Sequence, residues 1–265
     1  MKASVHGVTI AYEDEGQGLP VILLHGFPLD HHMWKHQTTA LKEGGFRVIT
    51  PDMRGMGGSE VPTDTISLEN YADDVLALLD HLDIPKAVLG GFSMGGYIAF
   101  SMLRKAPDRF TALVLADTKP EADSPEAQKN RMNLAAALFE KGSIAASDAM
   151  IPKMLTEKTR NENPHLEVKL HSIIESTNPL SLVHASIAMA FRQDATALLT
   201  QITVPTLVIV GEEDQVTPIE VMKQMADQIY QSQFVKIPES AHLTPMENPE
   251  AFNKALLEFL QGLGD

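Results

Sequence analysis

The sequence predicts an α/β protein, with a mostly parallel eight-stranded sheet flanked by helices and one all-helical insertion. Three observations carry this. Short apolar runs alternate with amphipathic helical patterns from residue 20 to residue 117. The alternation lapses between 118 and 200, where only helical spacing is found, and then resumes. In the middle of the first stretch, Ala87-Val88-Leu89 opens through paired glycines directly onto a helical pattern, with no room for more than a sharp turn.

Taken in order, residues 3–6 and 8–13 read as two short strands turning at Gly7. Pro20-Val21-Ile22-Leu23-Leu24 is continuously apolar, as suits a strand buried on both faces. A helix over about 32–43 follows, then a strand over 46–50. The loop Asp52-Met53-Arg54-Gly55-Met56-Gly57-Gly58-Ser59 comes next, in which Asp52 and Arg54 are expected to pair. Ser67 caps a helix with Leu68, Tyr71, Val75, Leu78, Leu79 and Leu82 on one face. Ile66 and Tyr71 fit a staple across that cap, and Ile84-Pro85 ends the helix. The turn strand begins at Lys86, and another buried-type strand over 111–116 runs into Asp117.

Within 118–200, Ser124-Pro125 and Asn178-Pro179 are cap-then-proline helix starts, and Leu180, Val183, Ile187 and Phe191 recur at helical spacing. About four helices are expected. Met132, Met150, Met154 and Met189 fit either an adaptable apolar wall or ordinary bundle core. A strand over 205–210 leads to Gly211-Glu212-Glu213-Asp214, a helix over about 218–230 and a strand over 233–237. Asn248-Pro249 then caps a last helix to about Leu260. The expected division is a core of 1–117 and 201–265, with 118–200 as a cap inserted into it.

Composition narrows the function. At 265 residues with 44% hydrophobic content the chain can bury one large core. A net charge of −14 repels phosphate backbones and anionic lipid, so nucleic acid and membrane surfaces are not expected partners. There is no cysteine, which excludes disulfides, thiolate metal sites and a cysteine nucleophile. The first residues have no apolar signal core and no run reaches membrane-spanning length, so a cytoplasmic location is the default expectation. The glycine-rich run 90–96 has neither the Lys-Ser/Thr ending of a P-loop nor the G-x-G-x-x-G spacing. His32 and His36 are four apart but lack the glutamate of H-E-x-x-H. No cofactor and no metal are expected.

The chemistry centres on Gly91-Phe92-Ser93-Met94-Gly95, a G-x-S-x-G pattern between strand and helix. So sharp a turn leaves Ser93 exposed at its tip and needs flanks without bulk. Met94 then opens the helix, with its N–H turned toward whatever Ser93 attacks. A serine hydroxyl is a poor nucleophile at neutral pH, so it needs a base, and the base an orienting acid. The chain supplies Asp214 after a later strand and His242 after the last. Asp117, at the end of a central strand, is the competing acid, and Asp214 is preferred. A neutral His242 is required, so activity should rise as its imidazole loses its proton.

Five motifs in this order resemble the α/β-hydrolase superfamily over essentially the whole chain. His25-Gly26-Phe27-Pro28 is similar to its oxyanion loop, residues 52–59 to its D-x-R-G-x-G-x-S loop, and residues 91–95 to its nucleophile elbow. Gly211–Asp214 with Pro218 resembles its acid loop, and Ala241-His242-Leu243 before Glu247-Asn248-Pro249-Glu250 its histidine loop. His-Gly-Phe-Pro-Leu-Asp with Gly-Phe-Ser-Met-Gly-Gly looks most like small bacterial carboxylesterases. The same letters occur in 3-oxoadipate enol-lactonase-like proteins and cofactor-free perhydrolases. The resemblance implies catalytic Ser93, Asp214 and His242, an oxyanion hole from the N–H groups of Phe27 and Met94, and a pocket roofed by residues 118–200. His25, Gly26, Trp34 and Met189 are the pocket candidates. Of these, His25 is expected to brace the oxyanion loop, and Trp34 either lines the mouth or fills space. A serine nucleophile argues against the dehalogenase and epoxide-hydrolase branches, which use aspartate. The expected substrate is a small short-chain ester, with lactone hydrolysis or peracid formation as the alternative on the same residues. The alternative of another class is a slow-turnover ligand sensor, which a fast steady state on a short-chain aryl ester would exclude.

Overall fold

The computed structural model describes residues 1–64 and 66–264. β1 (Lys2–Val5) and β2 (Val8–Gly16) form a hairpin through His6 and Gly7, at φ 49° and 78°. Both turn residues are left-handed, as a two-residue hairpin turn requires. β3 (Pro20–Leu24) is followed by a 3-10 turn over His31–Trp34, in which the Asp30 carboxylate accepts the His32 N–H at 2.9 Å. α1 (Lys35–Glu43) continues directly from it, so the helix expected from residue 32 starts as a tighter turn. Then come β4 (Arg47–Pro51), α2 (Leu68–His81), β5 (Ala87–Phe92), α3 (Met94–Lys105) and β6 (Phe110–Ala116). At the start of α2 the Ser67 N–H donates to Asn70 Oδ1 at 2.8 Å, and Ile66 and Tyr71 are both buried across that cap.

Between β6 and the next strand lie six helices: α4 (Pro125–Lys141), α5 (Ile144–Met154), α6 (Glu157–Glu162), α7 (Pro164–Ser176), α8 (Pro179–Ala190) and α9 (Thr196–Leu199). The excess over the expected four comes from short pieces that periodicity cannot register. Thr156 caps α6 by accepting the Thr159 N–H at 2.9 Å, and Pro164 restarts the chain as α7 two residues after α6 ends. In α8 the helix is where the spacing placed it, but the buried face is not. Leu180 and Phe191 are exposed, while Leu182, Ala185 and Met189 point inward. The small side chains Ser181, Ala185 and Ala188 allow close approach, and a Cβ on Gly55 would overlap the Ser181 side chain.

β7 (Thr206–Gly211), α10 (Ile219–Gln228), β8 (Ser232–Ile237), the single turn α11 (Thr244–Glu247) and α12 (Pro249–Gln261) complete the chain. The sheet order is β1-β2-β4-β3-β5-β6-β7-β8. β1 and β2 run antiparallel to their neighbours, and every pairing from β4 to β8 is parallel. β5, near the centre, and β7, one strand in from the β8 edge, are buried at every position. The parallel strands deliver their carboxyl ends to one edge, and the helical block meets the core there. Leu243 N–H donates to Met154 O at 3.0 Å, Thr156 N–H to Glu247 Oε1 at 2.7 Å, and the Arg192 guanidinium lies 4.1 Å over the Tyr97 ring.

Candidate active site

β5 ends at Phe92 and α3 begins at Met94, so Ser93 alone makes the turn. It sits at φ 51°, ψ −112°, a left-handed backbone that a residue with a side chain adopts only under constraint. The constraint is visible at its flanks. A Cβ on Gly91 would overlap the Gly95 carbonyl, and one on Gly95 the Leu24 carbonyl. The Ser93 N–H donates to Ala116 O at 2.9 Å, and the Thr118 hydroxyl donates to Ser93 O at 2.8 Å. Strand, turn and helix are thus locked to β6.

Ser93 Oγ lies 2.9 Å from His242 Nε2, and His242 Nδ1 lies 2.8 Å from Asp214 Oδ2. The three residues come from the loops after β5, β7 and β8. His242 is buried, packed 5.1 Å from the Phe92 ring. With Nδ1–H given to Asp214, Nε2 is left as an acceptor for the serine proton. Asp214 accepts from the Val216 N–H at 2.7 Å, the Thr217 N–H at 3.0 Å and the Thr217 hydroxyl. Burial pushes its carboxyl up, but the charge and hydrogen bond of His242 and the Thr217 donors outweigh this and hold it below the usual carboxylate range. A carboxylate there stays ionised and keeps the imidazole oriented.

The loop after β3 closes the other side. Gly26 abuts Phe92, where a Cβ would meet Cδ1 at 2.6 Å, so the chain passes directly beside the turn. Phe27 and Met94 are buried, and among the described residues neither of their N–H groups has an acceptor in the protein. Two buried, unpaired donors next to the Ser93 hydroxyl are groups that could hold an anion there.

The family described as alpha/beta hydrolase fold matches residues 20–148, and the one described as TAP-like protein matches residues 188–263. A Bacillus subtilis protein named AB hydrolase superfamily protein YisY is 32% identical over 259 residues, covering 95% of each chain. A thermophilic esterase from Thermogutta terrifontis superposes with a TM-score of 0.96 at 43% identity, over 100% of this chain and 99% of that one. The enol-lactonase from Burkholderia xenovorans superposes at 0.91 with 28% identity, over 98% and 100%. The chain belongs to the α/β-hydrolase family. It is a hydrolase with an esterase and an enol-lactonase among its relatives.

Around this α/β-hydrolase site the remaining candidates take their places, and one expected pairing, that of Asp52 with Arg54, needs correction. Trp34 is 1% exposed and packs between Phe92, at a centroid distance of 6.4 Å, and Phe252, at 6.2 Å. It fills space behind Phe92, the ring that packs on His242, and does not line a mouth. His25 is fully buried, with Nε2 accepting the Met53 N–H at 2.9 Å and Nδ1 bonded to Gly26 O at 3.1 Å. Both ring nitrogens are therefore engaged in tying the loop after β3 to the loop after β4. Met189 is buried, its Sδ 3.4 Å from Arg131 Nη1. Asp52 and Arg54 do not pair. Asp52 turns inward to His31 Nδ1 at 2.6 Å and the Gly58 N–H at 2.8 Å. The longer Arg54 reaches α2 and holds Asp74 with both Nε and Nη2.

A cavity of 480 Å³ is lined by Tyr97, Leu134, Ala149, Met150 and Val216 together with polar side chains such as Arg131 and Gln215, and Ser93, Asp214 and His242 are not among its lining residues. Tyr97 lies one turn beyond Ser93, and Val216 is the residue whose N–H holds Asp214. None of the four pocket candidates is among its lining residues. Sequence reasoning also missed Thr217 and Thr118. The Asp-x-x-Thr spacing of Asp214 and Thr217, a local side-chain-to-backbone turn, was the available clue to the first. Among the described residues two groups have metal-like spacing, Asp30/His31/His32 and Asp117/Asp214/His242, but the His242–Asp214 and His32–Asp30 contacts, at 2.8 and 3.0 Å, already occupy the Nδ1 atoms of His242 and His32. Among the described residues no helix is long and apolar enough to cross a membrane.

Proposed function

We propose that this hydrolase is a serine carboxylesterase acting on short-chain esters through a covalent acyl-enzyme. The observation that carries the reading is the relay from Ser93 Oγ to His242 Nε2, 2.9 Å, and from His242 Nδ1 to Asp214, 2.8 Å. His242 takes the serine proton as Oγ attacks the acyl carbon, and the oxyanion is held by the Phe27 and Met94 N–H groups. The tetrahedral adduct collapses as His242 gives that proton to the leaving alkoxide. Water, deprotonated in turn by His242, attacks the acyl-enzyme and releases the acid while Ser93 regains its proton. Asp214 stays ionised and steadies the imidazolium formed in each half-reaction. The helices of residues 118–200 serve as a cap over this edge, so the cavity between Tyr97, Met150 and Val216 receives the acyl or alcohol portion of the substrate. The 43% identity to an esterase supports ester hydrolysis. The likeness to an enol-lactonase supports a second reading on the same residues, in which the leaving alkoxide remains tethered to the acyl group.

The test is a panel of aryl and alkyl esters of increasing chain length with simple lactones and enol-lactones, compared by kcat/KM. A steady-state preference for short-chain esters is expected, and preference for the lactones would reverse the order of the two readings. Ser93→Ala should lose roughly 10³-fold or more in kcat on every member, and retained turnover would reject the mechanism.

A further inference from the structure

One buried carboxyl beside the triad has no part in the mechanism above. Asp117 ends β6 with no exposed surface, at φ 46°, its N–H donated to Ile209 O at 2.9 Å. Oδ1 accepts the Gly211 N–H at 3.0 Å and Oδ2 is bonded to the Thr244 hydroxyl. A carboxyl oxygen of Asp117, one of Asp214 and a ring nitrogen of His242 all lie within 4.8 Å of one another. The titratable groups facing Asp117 are therefore Asp214, from the loop after β7, and His242, from the loop after β8. Among the described residues no lysine or arginine pairs with either carboxyl.

Two like charges so close in a buried site, with no lysine or arginine to offset them, strongly disfavour each other. The donors decide which carboxyl is charged. Asp214 receives four, from the Val216 N–H, the Thr217 N–H, the Thr217 hydroxyl and the His242 ring. Asp117 receives at most two, and one of these is a hydroxyl that can equally accept. We propose that Asp117 and Asp214 together hold a single negative charge, Asp117 being a positioning residue that keeps its proton against Asp214 and takes up the charge when Asp214 is neutralised. Burial and then the Asp214 charge push the Asp117 carboxyl well above its ordinary range, in the same sense. The N-terminal end of α11 and the end of β7 are tied through this one acid, so the histidine loop and the acid loop share a common anchor.

The proposal rests on the reading of Asp214 and His242 as acid and base, and its test does not require turnover alone. In Asp214→Asn the charge should move to Asp117, a carboxyl oxygen of which lies within 4.8 Å of a His242 ring nitrogen. That variant should hydrolyse a short-chain aryl ester roughly tenfold faster than Asp214→Asn/Asp117→Asn, and equal rates would overturn the proposal. Infrared spectroscopy gives a second arm that does not depend on the double variant folding. The wild-type chain should show the carbonyl band of a protonated carboxylic acid at neutral pH, lost in Asp214→Asn as Asp117 ionises. A spectrum without that band, or with a band indifferent to Asp214→Asn, would also overturn it. Failure of Ser93→Ala to abolish turnover would instead fall on the esterase mechanism and leave the infrared result standing.

Discussion

Asp52 accepts from the His31 ring at 2.6 Å, the His31 N–H at 2.9 Å and the Gly58 N–H at 2.8 Å, and its own C=O accepts from the Ser59 hydroxyl at 2.7 Å. Together with the His25–Met53 bond, this fastens the loop after β3, which carries the Phe27 N–H, to the loop after β4. Burial lowers the His31 pKa, but the hydrogen bond and charge of Asp52 more than offset it, so the net shift is upward from 6.5. A group whose folded pKa is raised contributes stability that is fully present below 6.5 and lost as pH rises through the folded value. His31→Gln should therefore melt below wild type by a margin that is widest in mildly acidic buffer and narrows toward alkaline pH. Melting curves across that range check it, and a margin independent of pH would show His31 to be uncharged throughout. The sequence shows each of these residues, but the partner of Asp52 lies 21 positions away and on another loop. No local spacing encodes it, which is why Arg54, two residues off, looked like the partner.

The strand–turn–helix of β5, Ser93 and α3 is the element on which the proposed chemistry depends. It was legible because a period of two gives way to a period of 3.6 with glycines at the junction. What the junction demands is close approach. A Cβ on Gly95 would collide with the Leu24 carbonyl, a backbone atom of β3 that cannot rotate away. Gly95→Ala should cost about 1–3 kcal/mol or more of stability, as overpacking does, and should depress kcat more than KM by shifting Ser93 away from His242. Chemical denaturation and steady-state kinetics on the same variant test both parts, and a neutral effect would mean that the elbow has slack. Shorter elements escaped the same reasoning. The 3-10 turn at 31–34 and the one-turn α11 contain too few residues for any period to show, yet α11 carries the Thr244 hydroxyl that meets Asp117.

At the scale of the molecule, the helical block is held together by a buried charge cluster that meets the core where Arg192 lies over the Tyr97 ring. Asp123 receives Arg192 Nη1 at 2.6 Å and Arg131 Nε at 2.5 Å, while Arg192 also donates to Glu121 O and Met189 O and lies over the Tyr97 ring of α3. Arg192 and Asp123 are almost fully buried. Removing one member of such a cluster strands a charge and typically costs about 3–5 kcal/mol. Asp123→Ala should lose stability on that order, and amide exchange should quicken in α4 and α8 before it does in β5 and β6. Uniform exchange across core and block would argue that they unfold as one unit. The reach of this cluster, across about 70 residues from Asp123 to Arg192, is again something that only folding brings together.

The sequence by itself determined the alternation of strands and helices, the helical interruption after β6, the serine turn, and the chain order of Ser93, Asp214 and His242. These are local properties, written in periodicity, caps and glycine placement over windows of ten or so residues. Tertiary structure alone decided the rest. It set which carboxylate faces His242 and which stands behind it, that Trp34 supports the site from the core, where Asp52 and Arg54 find partners, and which face of α8 is buried. Each of those outcomes is a choice among groups distant in the chain, made by packing and by the cost of leaving a buried charge without a donor.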